Sequence, residues 1–157
     1  MAEYRISRNV EASIIDFIVT ELSSDSWTGI NVLKGFPEDY KGLTPFIGVE
    51  ALSRGTDQIE IGSNSIFLDI PISIRIFAVN DGQRLDLSDW LLDVQLLDNI
   101  DYYEYTITNG VVSEKSKVGK IRFLNKVSRK ELTNTQTLVA EDRYRQLITA
   151  TCRVTLD

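Results

Sequence analysis

Two places in the sequence hold residue types from which an enzyme could be built. Asp39-Tyr40-Lys41, beside Pro37-Glu38, has the acid-x-lysine spacing used by metal-dependent nucleases. That chemistry needs carboxylates and a lysine carried on a strand and converging on a divalent metal, with a further acid close by. Here the residues lie between Pro37 and Gly42 in a turn-rich stretch, so a solvated turn is the favoured reading. Cys152 is the one thiol, and the chain contains no histidine to activate it. Lacking histidine, the chain lacks the commonest general base, metal ligand and triad partner. The glycines are scattered and form neither standard phosphate cradle. The sequence points to a non-enzyme, with no catalytic, cofactor-binding or metal-binding residue to name.

Charge is the pattern that remains. Asp81, Asp86, Asp89, Asp93, Asp98, Asp101 and Glu104 form an acidic run interrupted by one base, Arg84. Lys115, Lys117, Lys120, Arg122, Lys126, Arg129 and Lys130 follow with no acid among them. Such runs are usually solvated faces. On one small chain, however, an acidic and a basic surface are self-complementary. Placed on opposite sides, they let copies join head to tail, and such contacts close into a ring when the rotation permits. The candidate contact residues are therefore the seven bases together with Asp86, Asp89 and Asp93. DNA contact through the basic run is the competing reading. It lacks the interleaved aromatics of a single-strand binder, and the net charge of −6 runs against it.

Periodicity sets the elements that must position these charges. Val10, Ile14, Phe17, Ile18 and Leu22 predict an amphipathic helix over 9–22, capped by Asn9, with Glu11 suited to its positive end and Ser23-Ser24-Asp25-Ser26 ending it. Short extended pieces are expected over 30–36 and 46–52. Ile66, Leu68, Ile70, Ile72, Ile74 and Ile76 occupy every second position, the signature of a long strand. Pro71 removes a ladder donor, which places that strand at an edge or gives it a bulge, and an exposed edge could pair with another subunit. Residues 57–61 are expected to pair with its beginning. Leu87, Trp90, Leu91, Val94 and Leu97 mark a second helix over 85–97, with Asp86, Asp89 and Asp93 facing outward. Tyr103, Tyr105 and Ile107 alternate into Asn109-Gly110, a hairpin turn. A polar, basic loop or hairpin region follows over about 109–130, with a strand-like piece at 118–124. Alternation from Tyr144 to Leu156 closes the chain with a strand that could pair centrally with the long one. The expectation is a single α+β domain over 1–157: a mainly antiparallel or mixed sheet with two principal helices packed on one face.

Length and composition agree. The chain has 157 residues, 43% hydrophobic and 25% charged, enough for one core without staples. A lone cysteine suits a reducing compartment. The first residues lack the basic-then-apolar order of a secretory signal, and the apolar-rich stretch 66–79 holds Asp69, Pro71 and Arg75 and is too short to span a bilayer. A soluble protein made in a cytoplasm is expected.

The layout resembles the tail-terminator (tail-completion) proteins of long-tailed bacteriophages. The residues that carry the resemblance are Val10-Glu11-Ala12-Ser13-Ile14-Ile15-Asp16-Phe17-Ile18, Ile70-Pro71-Ile72-Ser73-Ile74-Arg75-Ile76-Phe77, Asp89-Trp90-Leu91-Leu92-Asp93-Val94 and the closing strand from Tyr144 to Val154. The resemblance implies a virion protein assembled in the host cytoplasm. Its expected form is a ring, a hexamer in that family, at the head-proximal end of the tail tube. Its expected partners are itself, the tail-tube protein and a head-completion (neck) protein, with the sheath as a further candidate. Genomic DNA would pass through the lumen without specific binding. A neck, sheath or baseplate component is the nearest alternative, and a nuclease using Asp39 and Lys41 or a DNA-binding module the distant ones.

Overall fold

A stripe of apolar side chains at helical spacing buries itself as helix α1, Ile6–Ser24. The computed structural model describes residues 6–35, 45–52, 55–58, 66–95, 99–131 and 144–156. Val10, Ile14, Ile18 and Leu22 are buried as expected, Phe17 partly so, and Ile6 extends the stripe by a turn. The predicted cap at Asn9 is not borne out. Asn9 already has helical neighbours on both sides, and its buried amide finds no hydrogen-bond partner. Glu11 likewise serves packing rather than the dipole. Its carboxylate accepts the backbone N–H of Ala51 at 2.9 Å and lies 3.6 Å from Lys34 Nζ. At the other end Ser26 adopts φ 62°, and the N–H of Trp27 returns to the carbonyl of Leu22, closing the helix in a Schellman turn.

The sheet contains β1 (Asn31–Lys34), β2 (Phe46–Ala51), β3 (Gly55–Gln58), β4 (Ile66–Ala78), β5 (Ile100–Thr108), β6 (Val111–Lys130) and β7 (Tyr144–Leu156). Their order is β1-β2-β4-β7-β6-β5, with β3 also on β4. The β1–β2 pair is parallel and every other pair antiparallel. The long strand and the closing strand do pair centrally, from Leu68↔Val154 to Ala78↔Tyr144. The expectation that Pro71 puts β4 at an edge or gives it a bulge is corrected: its ladders carry no register shift, and it lies between β7 on one side and β2 and β3 on the other. β2 reaches Ile72 and β3 starts at Asp69, so Pro71 falls where one neighbour hands over to the next. There its carbonyl accepts from the N–H of Leu52. The missing N–H points into that gap, because both backbone groups of a strand residue share one edge. This reconciles proline with a central strand.

Ile70, Ile72, Ile74 and Ile76 pack with Ile148, Ala150, Cys152 and Val154 beneath the helices. Helix α2, Asp81–Asp89, continues as a π-helical turn, Trp90–Gln95, and buries Leu87 and Leu91. It starts four residues before the sequence suggests, because Asn80 caps it: its Oδ1 accepts the N–H of Gln83 at 2.7 Å. The side chain of Val94, and all of Leu97, lie outside the described residues. Both helices lie on one face. α2 reaches Gln146 and Ser128, the register partners of Ile76 and Ile148, whose side chains also meet α1's stripe.

The region expected over about 109–130 as a polar, basic loop or hairpin with a strand-like piece at 118–124 is a hairpin whose return, Val111–Lys130, is one continuous strand, β6. Asn109 and Gly110, at φ 52° and 79°, make the predicted hairpin turn. Asn125 takes φ 53° at a bulge between Leu124 and Val127. Gly119 has no room for a side chain, since a Cβ there would run into the Thr155 carbonyl of β7.

Candidate interaction surfaces

The acidic run divides between two elements. Asp86 and Asp89 stand exposed on α2, as expected. The side chain of Asp93, and all of Asp98, lie outside the described residues, while Asp101 and Glu104 belong to β5. Arg84, which reads in the sequence as a lone base among acids, is a buried clamp. Its guanidinium meets Asp81 at 2.8 Å and donates to Gln146 Oε1 at 2.6 Å. Gln146 in turn donates to Ser128 at 2.7 Å, and Ser88 lies 3.1 Å from the same hydroxyl. This chain of hydrogen bonds fixes α2, and with it Asp86 and Asp89, against β6 and β7.

All seven bases of the basic run sit on β6, exposed except for half-buried Lys126. Register partners share a face of the sheet. Lys120 pairs with Thr155, Arg122 with Arg153 and Arg129 with Leu147, all on the face away from the helices. The Asn125 bulge makes this possible. By adding one residue it shifts the outward parity from 120, 122 and 124 to 127, 129 and 131. Arg129 thus joins Lys120 and Arg122, and Glu131 follows onto the same face. Lys130 is left with Gln146 on the helix side, and Lys126 within the bulge.

The same face holds a second charged group that sequence reasoning missed. Glu131 lies 3.3 Å from Arg75 and 3.0 Å from Arg145. The Arg145 guanidinium also covers the ring of Phe77, which stacks on Phe46 at 4.4 Å. Asp69 accepts two hydrogen bonds from Arg153, at 2.8 and 2.9 Å. Alternation along β4 and β7 puts Asp69, Arg75, Arg145 and Arg153 on one face, but sequence gives no register to pair them.

The two runs touch at the hairpin. Lys117 reaches Asp101 at 3.1 Å, and Lys115 lies 3.5 Å from Asp16 of α1 and over the ring of Tyr103. Tyr105 donates to Asp16 at 2.7 Å, and Ser13 Oγ accepts the N–H of Tyr103 at 3.0 Å. These contacts dock the hairpin on α1 beside an open groove of about 300 Å³, lined by Asp16, Glu21, Asp101 and Tyr103. No ion pair among the described residues reaches Lys120, Arg122, Arg129, Lys130, Asp86 or Asp89.

Burial, and then the hydrogen bond to Asp16, push the Tyr105 phenol well above its ordinary range, and burial pushes the Cys152 thiol up likewise. Both are neutral and unreactive near pH 7. Among the described residues no three His, Cys, Asp or Glu side chains gather as metal ligands, and no helix is long and apolar enough to cross a membrane. Asp39 and Lys41 lie outside the described residues. What these surfaces offer chemically is charge pairing, hydrogen bonding and open strand edges.

No family model matches the sequence, and no curated protein does. Among solved structures, a chain from "Virion of native gene transfer agent (GTA) particle" is similar over 98% of this chain and 98% of its own. Its identity is 14% and its TM-score 0.48, a likeness too slight to carry function.

Proposed function

We propose that this chain is a structural, non-enzymatic subunit of a phage-type virion, and within that class a tail terminator. In this role copies join as a ring on the last turn of the tail tube, stop its growth and offer a docking surface to the neck. The observation that carries the reading is the placement of charge. Asp86 and Asp89 stand on α2, on one side of the sheet, while Lys120, Arg122 and Arg129 project from the other. That is the arrangement a head-to-tail contact between identical copies requires. The acidic net charge suits a lumen through which DNA slides without adhering.

Electron microscopy of the chain mixed with purified tail tubes, and separately with DNA-filled heads of the same virion, tests the assignment. A ring on one end of the tubes supports the terminator. Binding to heads alone would make the chain a neck component, and binding to neither would remove it from the head–tail junction.

A further inference from the structure

On the face of the sheet away from the helices, Asn99, Lys120, Arg122 and Thr155 line an open notch of about 240 Å³. Each of these side chains can donate a hydrogen bond and none is an acid, so the notch suits an oxyanion. The acids in the adjoining rows are engaged elsewhere. Asp101, opposite Lys120 on the ladder, meets Lys117 at 3.1 Å. Asp69 holds Arg153, the register partner of Arg122, through two hydrogen bonds. Two positive charges are left lining the notch, and no ion pair among the described residues reaches either.

The chain carries a matching surface on its other side. Leu85, Asp86 and Asp89 are exposed on α2 and fall within about 100° of arc, opposite buried Arg84, Leu87 and Ser88. Arg84 is the one base of that helix, and it is turned to Asp81 and Gln146, so no base of α2 offsets the two carboxylates. Asp86 and Asp89 are three apart on a helix, about 5–6 Å between Cβ atoms. Lys120 and Arg122 are two apart on a strand, about 6.5 Å. The residues beyond the charges agree as well. Back along α2 the acids lead to Leu85, 46% exposed. Forward along the outer row of β6 the bases lead to half-buried Leu124 and then to Val127, 55% exposed. Acid, acid, apolar on the helix matches base, base, apolar on the strand.

We infer that α2 of one copy lies antiparallel across the outer face of β6 in the next, with Asp89 in the notch beside Lys120, Asp86 on Arg122 and Leu85 over Leu124. α2 and the notch stand on opposite sides of one sheet, so no copy fills its own notch. Each gives one α2 and receives another, which makes the contact heterologous. Nucleic acid is the other anion the notch could take. It offers no apolar step to meet Leu124 and Val127, and the net charge of −6 repels it. The inference rests on the ring-subunit reading and names the contact within it.

Sedimentation velocity on the full chain tests it with Asp86→Arg, Arg122→Glu and the double variant that carries both. Each single variant should self-associate about tenfold more weakly than the wild type, because like charges meet at every junction. The double variant should regain wild-type association, since the new arginine meets the new glutamate. An equimolar mixture of the two singles should recover for the same reason. Both sites are exposed, so circular dichroism and urea midpoints should stay unchanged; if Asp86→Arg fails to fold, Asp89→Arg with Lys120→Glu carries the same test. Wild-type association in either single variant, a double variant that does not recover, or a wild-type chain that stays monomeric at its solubility limit would overturn the inference. So would a monomeric wild type that binds short duplex DNA and loses it with Arg122→Glu. Tubes capped by Arg122→Glu as well as by wild type would overturn this contact and leave the terminator reading standing. The expected pattern of variants, in a chain whose wild type never binds tubes, would do the reverse.

Discussion

Lys117 Nζ lies 3.1 Å from Asp101 Oδ1, so the basic and acidic runs neutralise each other at the root of the β5–β6 hairpin. Both side chains are 44% exposed, which makes this a solvent-screened pair. Asp101→Asn or Lys117→Gln should each change unfolding free energy by less than about 1 kcal/mol in urea titrations. Lys120, Arg122 and Arg129, by contrast, are reached by no ion pair among the described residues, and the proposed subunit contact draws on them. Replacing Lys117, Lys120, Lys126 and Arg129 by serine should weaken self-association or partner docking, with the fold retained. Normal rings and normal docking by that quadruple variant would contradict the charge-based account.

Ile74 of β4 and its partner Ile148 of β7 are both fully buried under the helices. Ile74→Ala should cost about 2–5 kcal/mol, since a rigid sheet cannot collapse into the space left. Urea denaturation followed by tryptophan fluorescence checks this.

Asn9 is the reverse case, a buried amide with no partner at either polar atom. Asn9→Leu should stabilise the chain by about 1–3 kcal/mol, because the desolvation cost disappears and the space is filled. A lower urea midpoint in this variant would mean that the amide is satisfied in solution.

Stability should fall at alkaline pH. Tyr105 and Cys152 are neutral when protonated, and the folded chain holds both protons above the ordinary values of 10.0 and 9.0. The unfolded chain therefore loses them first. The stabilisation is complete below about pH 8 and declines as pH rises through the unfolded values. A Tyr105→Phe, Cys152→Ala variant should show a shallower decline in urea midpoint between about pH 8 and pH 10.5. An identical slope would assign the effect to other groups. In the native wild type, Cys152 should resist thiol reagents until the chain unfolds.

How far sequence reached depended on the kind of pattern. Helix α1, β4 and β7 were legible because one face of each is buried, which imposes period 3.6 or period 2. β6 was legible only at its turn and over 118–124, since much of its length is polar and exposed and the Asn125 bulge breaks its alternation midway. The central position of β4 was not legible. Pro71 argues for an edge, and the hand-over from β2 to β3 that accommodates it is a tertiary arrangement. The charged runs were visible as composition, but what each charge touches was not. Arg84 and Gln146 are 62 positions apart, and nothing local marks Arg84 as a clamp instead of a surface base. Asp69 and Arg153 met the same limit at a separation of 84.

The measurement that bears most directly on the central claim is the length of tail tubes grown from their own subunit in the presence of this chain, with tube ends imaged by electron microscopy. A terminator predicts that growth stops, that tubes shorten as the chain's share rises, and that ring density sits on one end of each stopped tube. Unchanged lengths and bare ends, with the chain folded and in excess, would contradict it.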